Sequence, residues 1–253
     1  MGSRMSRRPG YKSRPAVATL VESLGLLRSR DLEAHGAPRS QLNLMCKVGM
    51  LSEVAPGVWA RSNAMVTAAA IAAKRVPRGV LCLKSALWVH GMLPEAPAEV
   101  WMAIGEHARK PQWSEPPLRV VRFSGRAQSE GIEQRKLWGM PITVYGVAKT
   151  VADLFKYRNK LGFPIAVRAI HDALLSGRTT ADEVRRFAET CRVTRSVSPY
   201  LDVLEARRGH DILRARQAFL AREDARKRRL EAPALHQVAG DPDSEWPLFG
   251  HGW

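Results

Sequence analysis

Arg39, Ser40, Gln41, Asn43 and Lys47 share one short stretch with Leu42, Met45 and Cys46. The three apolar residues fall at i, i+3 and i+4, the spacing of a single buried helix face, which leaves the five polar side chains on or near the other face. Those polar types have a common chemistry. An arginine fork bonds guanine O6 and N7, Asn and Gln pair with the adenine edge, and Ser and Lys hold phosphate oxygens. A solvated amphipathic helix carries the same residue types, so the surrounding elements decide how far this chemistry can be pressed.

Upstream, Arg28 to His35 is polar except for Leu32 and Ala34, with Ser29 available as an N-cap and Gly36 as the residue that ends the helix. Pro38 then suits the first turn of the next helix, where a missing N–H costs nothing. Beyond Gly49, Leu51 and Val54 can face a core, Ala55-Pro56-Gly57 makes a turn, and Val58-Trp59-Ala60 returns as a second strand. Pro15 to Leu24, with Val17, Leu20, Val21 and Leu24 at helical spacing, supplies a helix to pack beneath. Helix, helix, turn, helix and hairpin in that order predict a winged helix-turn-helix. Its flanking DNA contacts are expected from Arg28, Arg30, Pro56, Gly57 and Arg61. A basic arm adds Arg7, Arg8, Lys12 and Arg14.

The rest of the chain changes character. Ser62 to Lys74 is Ala-rich and helical, and Leu81 to Gly91 predicts a buried helix with Leu83, Leu87 and Trp88 inward. Strands are expected at Glu99–Ile104, Leu118–Phe123, Ile132–Leu137 and Ile142–Tyr145, the last two joined through Trp138-Gly139-Met140-Pro141. Helices follow over Val147–Arg158, Phe163–Leu175 and Ala181–Cys191, the last opened by a Thr180/Glu183 capping box. Another is expected after Ser198-Pro199. From Ile212 to Leu230 the pattern is helical and very basic, with Arg214, Arg216, Arg222, Arg226, Lys227, Arg228 and Arg229 as a second surface for nucleic acid, RNA included, or for an acidic partner face, against the plainer role of a solvated helix. The predicted class is α+β: a winged helix-turn-helix, then a larger domain with a small mixed or antiparallel sheet and several helices. The divisions are 1–14 (basic flexible arm), 15–76 (winged-helix domain), 77–208 (C-terminal α/β domain), 209–230 (basic helix) and 231–253 (disordered tail).

Composition fits this reading. The 253 residues are 45% hydrophobic, enough for real cores, and carry a net charge of +16 that favours polyanionic partners. Cys46, Cys82 and Cys191 stand too far apart for metal or redox motifs and are expected as buried thiols in a reducing compartment. No apolar run approaches the ~20 residues of a membrane span, and the basic start has no apolar signal core. The expected setting is therefore the cytoplasm, with DNA where the protein is DNA-bound.

Groups that could do catalysis are weighed against plainer roles. Asp153 is expected near the first turns of its helix, where a carboxylate favours the positive dipole end. His90 and His107 with Glu106 lack metal-ligand spacing and are expected as solvated loop residues. His171-Asp172 is expected on a helix surface, and Glu133 with Lys136 has the wrong spacing for a nuclease pair. Without a phosphate loop, nucleophile elbow or zinc motif, no enzyme, metal or cofactor is expected.

Three stretches together resemble the AbiEi family of bacterial type IV antitoxins, over about Ala16 to Leu204. They are Leu42, Met45, Gly49, Leu51, Gly57, Trp59 and Ala60; Ser85-Ala86-Leu87 with His90-Gly91; and Ile142-Thr143-Val144-Tyr145 with Lys149-Thr150-Val151-Ala152-Asp153-Leu154. Trp59 stands where the family has Tyr, and Lys149 where it has Arg. The resemblance implies an N-terminal winged helix that binds inverted repeats upstream of its own operon and represses it. It also implies a C-terminal domain that counteracts a nucleotidyltransferase-like toxin without a stable complex. The setting it implies is a bacterial cytoplasm, at the nucleoid when DNA-bound. A nucleic-acid or protein-binding adaptor, and a ligand-sensing repressor with a pocket in Leu81–Leu204, are the alternatives.

Overall fold

The computed structural model describes residues 14–231, residues 39 and 114 excepted. The first elements are α1 (Arg14–Leu24), β1 (Leu26–Leu27), α2 (Ser29–Ala34), α3 (Ser40–Lys47), β2 (Leu51–Ala55) and β3 (Val58–Arg61). The strands form an antiparallel sheet in the order β1-β3-β2. Leu20, Val21, Leu27, Leu32, Leu42, Met45 and Leu51 meet in one buried cluster, so the helical spacings of α1 and α3 converge on the face that β1 and β2 present. Gly36, at φ +73°, ends the second helix as its sequence position predicts.

The start of α2 differs from expectation. Leu26 and Leu27 are fully buried and pair with Ala60 and Trp59 as a two-residue strand, so the chain stays extended up to Arg28. Arg28, not Ser29, is therefore the N-cap, and its N–H donates to the Asp31 carboxylate at 2.7 Å.

The remaining elements are α4 (Ala68–Arg75), β4 (Val80–Leu81), α5 (Leu83–Val89), β5 (Val100–Gly105), β6 (Leu118–Phe123), α6 (Arg126–Ser129), β7 (Ile132–Leu137), β8 (Met140–Tyr145), α7 (Val147–Lys156), α8 (Arg158–Leu161), α9 (Phe163–Leu175), α10 (Ala181–Thr190) and α11 (Thr194–Glu231). Five strands form a mixed sheet in the order β6-β5-β4-β8-β7. β5–β6 and β4–β8 are parallel, whereas β4–β5 and β7–β8 are antiparallel. The protein is thus a mixed α and β structure with small sheets.

Three sequence-predicted helices shift. The Ala-rich helix begins only at Ala68, where the Thr67 hydroxyl accepts the Ala70 N–H at 3.1 Å. Leu81 is a strand residue paired with both Met102 and Val144, so the following helix starts at Leu83. The helix expected after Pro199 starts at Thr194 and carries Pro199 inside it, early enough that few backbone bonds are lost. By contrast, the Thr180/Glu183 capping box is present as predicted. The link between β7 and β8 shortens to Trp138 and Gly139, both at positive φ, the geometry that matches strand twist in a two-residue hairpin.

Alternation along the strands divides the larger sheet between two cores. Val80, Ala103 and Tyr145 face a cluster with Leu83, Val151 and Ile170 of the helices. Leu81, Met102 and Val144 face a second cluster that contains Ala69 and Ala72 of α4 together with Leu26, Val58 and Ala60 of the smaller sheet. The junction expected at residues 76–77 thus adjoins a core shared by both sheets, and the described residues up to Leu204 form one compact unit. The described residues from Glu205 onward form a second unit. Among the described residues no helix is long and apolar enough to cross a membrane. The arm residues Arg7, Arg8 and Lys12 and the tail beyond residue 231 lie outside the described residues, and Arg14 opens α1.

Asp153 also departs from expectation. It is the seventh residue of α7 rather than a first-turn residue, and it is fully buried. Lys149 Nζ, one turn earlier and also fully buried, donates to its Oδ2 at 2.6 Å, while the Cys191 thiol donates to Oδ1 at 3.2 Å. The Lys149 ammonium lies 4.5 Å from the Phe123 ring centroid and 4.3 Å from that of Tyr145, where cation–π attraction replaces part of its lost hydration. Burial pushes the Asp153 carboxyl above its usual range, opposed by Lys149. His90 is not a solvated loop residue either. It is buried, its Nε2–H donates to the Tyr145 carbonyl at 2.7 Å, and burial lowers its pKa.

Two outcomes are expected. Asp153→Ala, which strands the Lys149 ammonium, lowers stability by about 3–5 kcal/mol in urea unfolding, and Lys149→Met/Asp153→Leu recovers most of the loss. A loss below about 1 kcal/mol for the single variant would show that the pair carries little. Burial raises the Cys82 thiol pKa well above its usual value and pushes that of Cys191 up to about 12. That of Cys46 is also raised, by burial and by Glu53, but this thiol is only partly buried rather than buried as its sequence position suggests. Ellman's reagent at mildly alkaline pH should therefore titrate one thiol per native chain and all three after denaturation. Three fast thiols in the native protein would contradict this packing.

Candidate nucleic-acid interface

Leu42 and Met45 are buried, and they fix which side of α3 faces out. Ser40, Asn43 and Lys47, at i, i+3 and i+7, are exposed on that outer side. Gln41 is half-buried at the margin, and its Oε1 has no hydrogen-bond partner among the described residues. Arg39 lies outside the described residues. Leu44 and Val48 stand on the same outer side, 39% and 55% exposed, so the helix offers apolar contact beside its polar groups. Such contact suits a thymine methyl in a major groove.

The hairpin packs beside α3 through Leu51 and Trp59, which join Leu42 and Met45 in their cluster. Its tip is a two-residue turn between Ala55 and Val58. Pro56 supplies the fixed φ, and Gly57, at φ +76°, takes the position a side chain would strain. Two contacts hold the tip. The Gly57 N–H donates to the Glu53 carboxylate at 2.8 Å, and Arg75 Nη2 donates to the Pro56 carbonyl at 2.7 Å. Pro56 and Gly57 are exposed, as a groove or phosphate contact requires.

The flanking arginines separate into three kinds. Arg61 is exposed and lies 3.5 Å from Glu22, an exposed pair that leaves it available to a stronger anion. Arg28 is directed into the fold, where Nη1 donates to the Arg75 carbonyl at 3.2 Å and Nε is buried. Arg30 is exposed at the edge of a cleft of about 670 Å³ that also takes in Arg75, Arg78, Arg109, Lys110 and Trp113. Of these cations only Arg30 is legible from the sequence as a contact residue. A signal for the others existed: the turn before β4 and the loop after β5 are both basic. Antiparallel pairing of Val80 with Ala103 places those two segments at the same sheet end.

Arg75 joins the cleft to the hairpin. Besides Pro56, it donates through Nη1 to the Glu115 carbonyl at 2.7 Å, and its guanidinium lies 4.7 Å from the Trp113 ring centroid. The Trp113 indole N–H donates to the Pro116 carbonyl at 3.1 Å, which fixes the ring Arg75 rests on.

The groups weighed for catalysis do not converge. Asp153 and His90 are consumed in the buried contacts above, Glu133 pairs with Arg135 at 2.8 Å, and His171 Nδ1 lies 3.3 Å from Asp172. Among the described residues no three His, Cys, Asp or Glu side chains group as metal ligands. A further cavity of about 980 Å³ runs past Trp101, Tyr157 and Ile165, with Lys84, Arg122 and Lys160 on its walls. In the second unit, Arg214 and Arg222 are exposed on α11. Arg216, Arg226, Lys227, Arg228 and Arg229 occupy helical positions whose side chains lie outside the described set.

Arg75→Lys should loosen the hairpin, because an ammonium cannot bridge two carbonyls and stack on a ring as a planar fork does. Each lost bond is worth about 1 kcal/mol, so hydrogen exchange at Gly57 and Val58 should accelerate about fivefold or more. Unchanged exchange at both amides would show that Arg75 does not hold the tip.

No protein-family model matches the chain, and no curated protein does. Among solved structures it is similar to the RV2827C protein from Mycobacterium tuberculosis, with a TM-score of 0.46 and 16% sequence identity, over 72% of this chain and 73% of that one.

Proposed function

We propose that this chain is a sequence-reading DNA-binding regulator, built as a winged helix-turn-helix on a larger α and β body. The observation that carries the reading is the layout of the first elements. α3 turns an exposed polar side outward while a three-stranded sheet of order β1-β3-β2 ends in the exposed Pro56-Gly57 tip beside it. On this reading α3 enters the major groove and presents Ser40, Gln41, Asn43 and Lys47, with Arg39 at its start. The hairpin is the wing, with Pro56, Gly57 and Arg61 at the backbone. On this reading the arm residues Arg7, Arg8 and Lys12, with Arg14 at the start of α1, contact adjoining phosphates. The net charge of +16 supplies the long-range attraction.

The resemblance to AbiEi antitoxins gives the proposed biological setting: an autorepressor on inverted repeats upstream of its own operon, and antagonist of a nucleotidyltransferase-like toxin without a stable complex. The basic surface of α11, with Arg214 and Arg222, is the second nucleic-acid contact on this reading. A ligand-sensing repressor is the second reading, and the cavity of about 980 Å³ favours it, since it has the size and mixed lining of a small-molecule site.

Gel-shift titration against the gene's own upstream DNA and a shuffled control, at two salt concentrations, tests the first reading. Preference for the upstream DNA should persist at the higher salt, and equal binding that collapses with salt would leave only phosphate neutralisation. Asn43→Ala should then lower affinity for the upstream DNA by about 1–3 kcal/mol and relax preference at one base pair. An unaltered base preference in that variant would remove Asn43 from the reading set.

A further inference from the structure

The cleft beside the hairpin carries charge of one sign only among the described residues. Arg30, Arg75, Arg78, Arg109 and Lys110 line it together with Trp113, and no carboxylate does among the described residues. Other surface arginines of the same unit do sit against acids, Arg119 on Glu99 at 2.8 Å, Arg126 on Glu130 at 2.6 Å and Arg168 on Asp172 at 3.4 Å. In the cleft, Arg75 is occupied with carbonyls and the Trp113 ring, and forms part of the lining. Arg30, Arg78, Arg109 and Lys110 are exposed, and no ion pair joins them to any described residue. Four such cations brought to one concavity from three separate segments repel one another until an anion arrives.

The shape and position of the cleft indicate which anion. It is open to solvent, and four of its lining cations are exposed, as contact with an extended polyanion requires. Arg75 also makes its lining continuous with the hairpin tip through the Pro56 carbonyl. We propose that the cleft grips the phosphodiester backbone of double-stranded DNA next to the segment that α3 reads, carrying the footprint onto the loops of the five-stranded sheet. This inference rests on the DNA-binding reading and adds a sequence-independent contact to it. Arg78, Arg109 and Lys110 hold the phosphates, Arg30 approaches from the α2 side, and Arg75 with Trp113 keeps the cleft in shape.

The test is Arg78→Ala/Arg109→Ala/Lys110→Ala, three exposed residues with no ion pair to any described residue, with an unchanged urea midpoint as the check on folding. Fluorescence anisotropy on upstream and scrambled duplexes is measured between about 50 and 200 mM salt. The slope of log K against log[salt] should become shallower by about 2–3 for both duplexes, with the ratio between them preserved. An unchanged slope overturns the cleft even if upstream DNA is preferred. A shallower slope with no preference in either protein upholds the cleft and removes the base-reading role of α3. No binding to either duplex overturns both. Calorimetry with AMP provides the other arm: binding that the triple variant abolishes, with DNA slopes unaltered, would overturn the proposal in favour of a free-nucleotide site.

Discussion

The buried Lys149–Asp153 pair is the constraint around which the larger core is arranged. Two charges one turn apart on α7 have left water entirely, and that is tolerable only where every face of the pair is served. The rings of Phe123 from β6 and Tyr145 from β8 cover the ammonium, and Cys191 from the end of α10 donates to the carboxylate. One pair thereby fixes the positions of two strands and a helix end against α7. Tyr145 is tied again through its carbonyl, which accepts from His90, and its hydroxyl, which donates to the Gln128 carbonyl at 2.7 Å. Apolar side chains could fill the same volume but would tolerate rotation and sliding. A hydrogen-bonded pair accepts one arrangement.

A second fixed point sits on the opposite face of the sheet. Arg75 ends α4, whose alanines allow both sheets to approach closely enough to share a core. Its guanidinium then reaches the hairpin tip and the loop before β6 at once. The proposed DNA-reading elements are therefore not suspended on a linker. They are braced by the body, and the orientation of the hairpin is a property of the whole unit.

What was legible in the sequence was local. Gly36, Pro56-Gly57 and the Thr180/Glu183 box each specify a backbone conformation through chemistry contained in a few residues, and each appears where the chain places it. β1 and β4 were missed because two residues are too short for alternation to register, and only their partners make them strands. The spacing of Lys149 and Asp153 was visible, but i,i+4 ion pairs are ordinarily solvated, and nothing local reports that this pair is buried. The polar face of α3 follows directly from periodicity, whereas the cleft does not. Arg30, Arg78 and Arg109 meet only after the sheet register is known.

The brevity of β4 has its own consequence. Among the described residues Val80 and Leu81 alone join the β5–β6 pair to the β7–β8 pair, and Leu81 faces a neighbour on each side. The five strands therefore behave less as one continuous ladder than as two ribbons stitched along a narrow seam. Backbone hydrogen bonds cannot hold such a seam alone, so the ribbons keep their common plane because each face is clamped by its own layer of side chains. Val80 is committed to one layer and Leu81 to the other. The mechanical unity of the sheet thus resides in its two coatings rather than in its weave.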